Sequence, residues 1–60
     1  MTREEAISVL EESKRQNEIM RDNPNTFFKV SEIVAGQKSA QKRIDAIHLA
    51  ISALRQLEES

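Results

Sequence analysis

The sequence contains no cysteine, tryptophan or tyrosine, and its 60 residues include one glycine, one proline and two phenylalanines. The absence of cysteine excludes disulfides and thiolate metal sites. The single histidine, His48, does not by itself supply the ligand set of a zinc ion. A chain of this length buries only about 60% of its unfolded surface when it folds alone. Helix packing or self-association must therefore supply the stability that small proteins otherwise take from disulfides or metals.

The sequence also lacks an excess of either positive or negative charge. Charged residues make up 32% of the sequence, and they leave a net charge of −1. This balance gives no general attraction to nucleic acid, so we do not expect a nucleic-acid partner. No apolar run approaches the roughly 20 residues that cross a membrane, and the first residues are acidic where a signal peptide is basic and then apolar. We expect a soluble, cytoplasmic protein that does not enter a membrane.

The pattern along the chain predicts two long helices. Thr2 and Glu5 have the spacing of a capping box, and helix-forming residues then continue to about Asp22. The stretch Asn23-Pro24-Asn25-Thr26 predicts a tight turn, because the residue before a proline avoids helical angles while proline suits the first position of a new helix. A second arm is expected from about Pro24 to Glu58. The sequence therefore predicts an all-α fold, with residues 1–60 forming one antiparallel helical hairpin.

Gly36 leaves the course of the second arm open. Glycine in a helix interior costs about 1 kcal/mol relative to alanine. We favour a break or kink near Gly36, with Ser39 capping the helix that follows. The alternative is a helix that runs straight through this position.

The second arm carries a repeating apolar pattern that indicates self-association. Ala40, Ile44, Ile47, Ile51 and Leu54 have the 4-3-4-3 spacing of a coiled-coil or bundle seam, and Ala46, Ala50, Ala53 and Leu57 widen the apolar surface to a second side. This surface is too broad for one partner helix, so we expect a homo-oligomeric bundle, a dimer or larger. The predicted oligomer interface consists of Leu10, Ser13, Asn17, Ile44, Ile47, Ile51, Leu54 and Leu57.

Two polar residues interrupt the stripe of the first helix. Ser13 and Asn17 lie at solvated edges of the interface on one interpretation. On the other, they form a polar layer between helices or line a ligand cavity, as polar seam residues that fix register do.

The middle of the chain is locally basic. Residues 24–43 contain Lys29, Lys38, Lys42 and Arg43 against Glu32, a net charge of +3. If a helix begins after Gly36, its free amides could bind an anion such as a nucleotide phosphate. The same segment could be a helix-turn-helix with its turn at Gly36. The predicted partner- or anion-binding residues are Phe27, Phe28, Gly36, Lys38, Ser39, Lys42 and Arg43.

The two phenylalanines after the turn are open to two interpretations. Both pack in the core, or one closes the end of the hairpin while the other is exposed and anchors a partner, since aromatic side chains concentrate binding energy.

Catalysis has little support in the sequence. His48 lies beside the apolar seam, and there is no pairing of a nucleophile with a base. We expect no enzymatic activity, no cofactor and no metal.

The two ends of the chain resemble a group of small bacteriophage and prophage proteins. The opening Thr2-Arg3-Glu4-Glu5-Ala6-Ile7 is similar to the cap with which these proteins begin. The closing stretch from Ala46 to Arg55 is similar to their last helix. That helix contains repeated alanines, one followed by isoleucine and one by leucine. The resemblance covers about 17 residues and implies a viral or mobile-element origin. It assigns no role to any residue, because most members of the group have no known function.

These observations give three functional hypotheses. The leading one is an oligomeric accessory protein that binds a host or anti-phage defence protein stoichiometrically and inhibits it. The second is a sponge that sequesters small anionic ligands, cyclic nucleotides among them, at subunit interfaces. The third is a weak DNA-binding regulator of helix-turn-helix type.

Overall fold

The structure, a computed structural model, describes residues 1–59, with the side chains of residues 1–57. Helix α1 spans Arg3–Asp22, helix α2 spans Pro24–Phe27, a 3₁₀ turn spans Val30–Glu32, and helix α3 spans Ile33–Glu59. Helices α1 and α3 pack along one another in a rod 46 Å long and 15 Å across. The predicted all-α helical hairpin is confirmed.

Contacts between the two long helices show that they are antiparallel. Glu11 of α1 pairs with Arg55 near the end of α3, whereas Arg21 contacts Gln41 near its start. The hairpin thus has a closed end, formed by α2 and the two breaks beside it, and an open end at which α1 begins and α3 ends.

Helix α1 begins directly after Thr2, the predicted N-cap residue. The Thr2 side-chain oxygen accepts a hydrogen bond of 3.1 Å from the Glu5 amide, so it satisfies one of the amides that a helix leaves free at its N-terminus. Glu4 and Glu5 in the first turn also oppose the positive end of the helix dipole.

The first break lies where Asn23 and Pro24 predict it. The backbone amide and the side-chain amide of Asn23 both donate to the Ile19 carbonyl, at 2.9 Å each. Across the hairpin, the Gln37 side chain donates to the Arg21 carbonyl at 3.0 Å. These bonds satisfy carbonyls that the end of α1 would otherwise leave without a partner.

The predicted break near Gly36 is wrong. Helix α3 continues through Gly36, and the second break lies eight residues earlier, at Phe28 and Lys29, which both have extended backbone angles. Ser39 is consequently an interior residue of α3 and not the cap of a new helix.

The reason for a glycine at position 36 is a close contact and not a turn. A Cβ atom at Gly36 would lie 2.6 Å from the nearest atom of the Phe28 ring and 2.7 Å from two others. Carbon atoms in contact are normally 3.5–4.0 Å apart. Only a glycine therefore lets the ring of Phe28 lie against α3 in this position, where it closes the end of the hairpin.

The contact between α1 and α3 forms the core of the single chain. The buried apolar residues are Ile7 of α1 and Ala40, Ile44 and Ile51 of α3. The 4-3-4-3 seam of α3 therefore faces α1 of the same chain, as the seam of a two-helix coiled coil does.

We predict that Gly36→Ala destabilises the hairpin despite the better helix propensity of alanine. The substitution should gain about 1 kcal/mol of propensity and lose about 1–3 kcal/mol because the Phe28 ring is displaced. In a Phe28→Ala background the clash is absent, so the same substitution should stabilise by about 1 kcal/mol. Urea unfolding of the four proteins of this cycle measures both values, and an equal gain in both backgrounds would contradict the proposed contact.

Candidate binding surfaces

The seven predicted binding residues do not form one site. Gly36, Ser39 and Arg43 line a shallow groove beside Phe28. By the 3.6-residue period of the helix, Lys38 lies about 100° from Ser39 and Lys42 about 100° from Arg43, and both lysines are exposed. The two lysines therefore lie outside the groove that contains Gly36, Ser39 and Arg43.

The structure also has no helix N-terminus at the predicted anion site. Because α3 begins at Ile33, the amides of Lys38 and Ser39 are interior ones that donate to carbonyls four residues earlier. They are not free to bind a phosphate. The small-anion hypothesis therefore loses the free helix amides on which it was based.

The continuity of α3 also removes the turn that the helix-turn-helix hypothesis requires. The hypothesis required a turn at Gly36 between two short helices, and α3 is a single helix from Ile33 to Glu59. The segment that would have been a recognition helix is continuous with the one that would have preceded it.

Arg43 holds the two long helices together. Its Nε donates to the Asn17 side-chain oxygen at 2.6 Å, and its Nη2 lies 3.7 Å from the Met20 sulfur. The Asn17 side-chain amide in turn donates to the Ser13 carbonyl at 2.8 Å. Arg43, predicted as a partner contact, is thus engaged within the hairpin.

Each of the two interpretations given for Ser13 and Asn17 describes one of these residues: Ser13 lies at a solvated edge, and Asn17 belongs to a polar contact between helices. Ser13 is exposed at an edge, whereas Asn17 is only 8% exposed and forms a polar contact between the helices through Arg43. A buried side-chain amide is tolerated there because both its oxygen and its nitrogen have partners.

Several residues predicted for the oligomer interface are buried inside the hairpin instead. Ile44 and Ile51 are buried against α1, and Leu10, Ile47 and Leu54 are partly buried beside them. Leu57 is the one large apolar residue of that set that is mostly exposed. Ile44 and Ile51 are therefore unavailable to a second chain while the hairpin is closed, because α1 already covers them.

The closed end carries an exposed apolar patch that the sequence only partly indicated. Val30 is 87% exposed and Val34 is 66% exposed, and Phe27, one of the two predicted aromatic contacts, is about half exposed. Lysines precede and follow the two valines: Lys29 lies directly before Val30, and Lys38 and Lys42 lie one and two turns after Val34. We call this set the closed-end patch, and it consists of Phe27, Lys29, Val30, Val34, Lys38 and Lys42.

The spacing of these residues could have revealed the patch. Val30, Val34, Lys38 and Lys42 follow one another every four residues, which places neighbours on one side of a helix. None of the ion pairs within the described residues involves the three lysines, so their charges face solvent.

The opposite edge of the hairpin is polar. His48 lies there in an open groove with Ser52, Arg55 and three charged side chains of α1, Glu11, Lys14 and Glu18. No group of three or more acidic, histidine or cysteine side chains in the described residues is arranged to hold a metal ion. On α1 nearby, hydrogen bonds from Arg15 and then Gln16 lower the pKa of Glu12, as expected for a carboxylate with two donors.

None of the described helices combines the length and the apolar character that a membrane span requires. Comparisons with protein-family models, with curated proteins and with solved structures found no match to this chain.

We predict that Arg43→Ala destabilises the hairpin while Lys42→Ala does not. Removal of Arg43 leaves the buried oxygen of Asn17 without its partner, which costs about 1–3 kcal/mol. Lys42 is equally basic but exposed, so its truncation should change the free energy of unfolding by no more than about 0.5 kcal/mol. Urea denaturation followed by circular dichroism compares the two variants, and equal effects would show that the contact between Arg43 and Asn17 contributes nothing.

Proposed function

We propose that this protein is a non-enzymatic, oligomeric accessory protein of phage type that acts by stoichiometric binding to another protein. The observation that carries the proposal is the closed-end patch, where three apolar side chains are exposed among three lysines. Exposed apolar groups with a polar rim are the usual composition of a protein contact surface.

The arrangement of the patch favours a protein partner over a small ligand. Val30 is exposed on the 3₁₀ turn and Val34 on the first turn of α3, neither in a pocket, whereas small-molecule sites are concave. An apolar helix face fits a groove on a partner, in the manner of helix-in-groove recognition. The lysines favour a groove bordered by acidic side chains, since complementary charge speeds association and selects the partner.

The phage likeness of the two ends adds an expectation about the target. A small protein of viral origin that binds stoichiometrically is expected to inhibit a host or anti-phage defence component, in the cytoplasm of the host cell. Nothing in this expectation requires a cofactor or a catalytic group of the protein itself.

We predict that Val34→Asp abolishes partner binding without unfolding the chain. The aspartate places a charge in the apolar centre of the patch, and it suits the first turn of α3, where the helix dipole favours acids. Capture of one discrete host protein by the tagged wild type, followed by titration of the two purified proteins, should give a fixed stoichiometry. The dissociation constant should rise at least about tenfold for Val34→Asp, a loss of about 1.4 kcal/mol.

Val9→Asp is the matched control, since it makes the same chemical change at an exposed valine near the open end. It should leave the dissociation constant unchanged. Lys42→Glu should slow association, most clearly at low salt, because charges at the rim of an interface act mainly on the on-rate. If Val9→Asp abolishes binding and Val34→Asp does not, the closed-end patch is not the contact surface.

A further inference from the structure

The closed end of the hairpin contains a short segment that belongs to neither long helix. This segment, which we call the strap, consists of residues 24–29, that is α2 followed by Phe28 and Lys29. Asn23 before it has non-helical backbone angles, and its own last two residues are extended. The strap is therefore separated from α1 by one break and from α3 by another.

The hydrogen bonds of the strap stay within its own stretch of the chain. The Thr26 amide donates to the Asn23 carbonyl at 3.1 Å, the Phe28 amide to the Pro24 carbonyl at 2.8 Å, and the Glu32 amide to the Lys29 carbonyl at 2.8 Å. Over the described residues 1–57, no side chain of the strap forms a hydrogen bond or an ion pair. Polar contacts therefore do not attach the strap to the long helices.

Side-chain burial in the strap is slight. Pro24 and Phe28 are partly buried, whereas the other four residues of the strap are exposed. A helix as short as α2, with four residues, is unstable by itself, because isolated helices need about 12–15 residues. Segments with few buried apolar contacts also open at a lower free energy than the core does. The strap therefore depends on the packing of Pro24 and Phe28 for its position.

The ring of Phe28 is seated directly on the backbone of α3. A Cβ atom at Gly36 would lie 2.6 Å from the ring, so the ring fills the space that any other residue would need. Beside the ring lies an open groove lined by Ala35, Ser39 and Arg43. Because this groove is open, the ring can leave its seat without first displacing a buried side chain.

The pairing of α1 with α3 does not depend on the strap. Arg43 donates to the Asn17 side chain and Gln37 donates to the Arg21 carbonyl, so both bonds join the two long helices directly. The buried apolar residues also lie in α1 and α3. Release of the strap would leave these contacts in place.

We propose that the strap opens and closes as a unit while α1 and α3 stay paired, and that the Phe28 ring on Gly36 is its latch. In the closed state the ring holds α2 against α3. In the open state the ring lies in solvent, and α2 loses the support that keeps its two internal hydrogen bonds formed.

The latch would regulate the closed-end patch, a consequence that rests on the proposed function. Phe27 and Lys29 belong to the strap, whereas Val30 and Val34 belong to the 3₁₀ turn and to α3. The patch is complete only while the strap is closed, because opening carries Phe27 and Lys29 away from the two valines. A partner that contacts both parts binds the closed state, and its apparent affinity falls with the closed fraction.

Limited digestion with trypsin tests the latch without a partner. Trypsin cleaves after lysine where the chain has opened, and the rate follows the population of the open state when opening is fast. Cleavage after Lys29 needs only the strap to open, whereas cleavage after Lys14 or Lys42 needs a long helix to unfold. In the wild type the cut after Lys29 should be at least about tenfold faster than the other two.

Phe28→Ala removes the latch and should speed the cut after Lys29 at least about tenfold. Gly36→Ala should act in the same direction, because the added methyl group displaces the ring. Phe27→Ala is the matched control, since it removes the same ring from the adjacent exposed position and should leave the rate unchanged. Each rate is divided by that of a synthetic peptide of residues 24–38 with the same change, because trypsin also contacts residues near the cut.

Three results would overturn the proposal. The first is a wild-type cut after Lys29 that is no faster than the cut after Lys14. The second is an equal response to Phe28→Ala and Phe27→Ala. The third is a Phe28→Ala chain that circular dichroism shows to be unfolded, because the long helices must stay paired without the latch. None of these results bears on partner binding, so the proposed function would stand or fall separately, by its comparison of Val34→Asp with Val9→Asp.

Discussion

A hairpin of two long helices can cover only one side of each helix, and the rest of this structure follows from that constraint. The side of α3 that faces α1 buries Ala40, Ile44 and Ile51. Within residues 1–59 no further element lies on the other side of α3. Apolar side chains beyond the seam of α3 therefore stay at the surface, at the closed end and at the open end alike. The exposed apolar side chains at both ends arise from the same shortage of chain to cover them.

The position of α1 along α3 depends on specific contacts in addition to apolar packing. A seam that repeats every seven residues can be satisfied again after a shift of one heptad. Three contacts act against such a shift: the bond between Arg43 and Asn17, the bond from Gln37 to the Arg21 carbonyl, and the ring of Phe28 against Gly36. Each of them requires one register, so together they fix how the helices pair while the isoleucines supply the apolar burial.

What the sequence predicted correctly depends on near neighbours in the chain. The Thr2 cap, the turn at Asn23 and Pro24, and the seam of α3 are all set by residues within a few positions of one another. The apolar period of α3 also revealed the seam and a second apolar side. It assigned the first to an oligomer interface because the combined apolar surface is too broad for one partner helix, and the sequence does not show which part of that surface α1 covers.

What the sequence failed to predict depends on distant neighbours. Gly36 looks like a helix breaker by propensity alone, and only the ring of Phe28 explains why a glycine lies inside a continuous helix. Lys42 and Arg43 are adjacent and alike in charge, yet Arg43 meets Asn17 while Lys42 faces solvent. The helical period separates two such residues by about 100°, so their roles follow from where α1 lies.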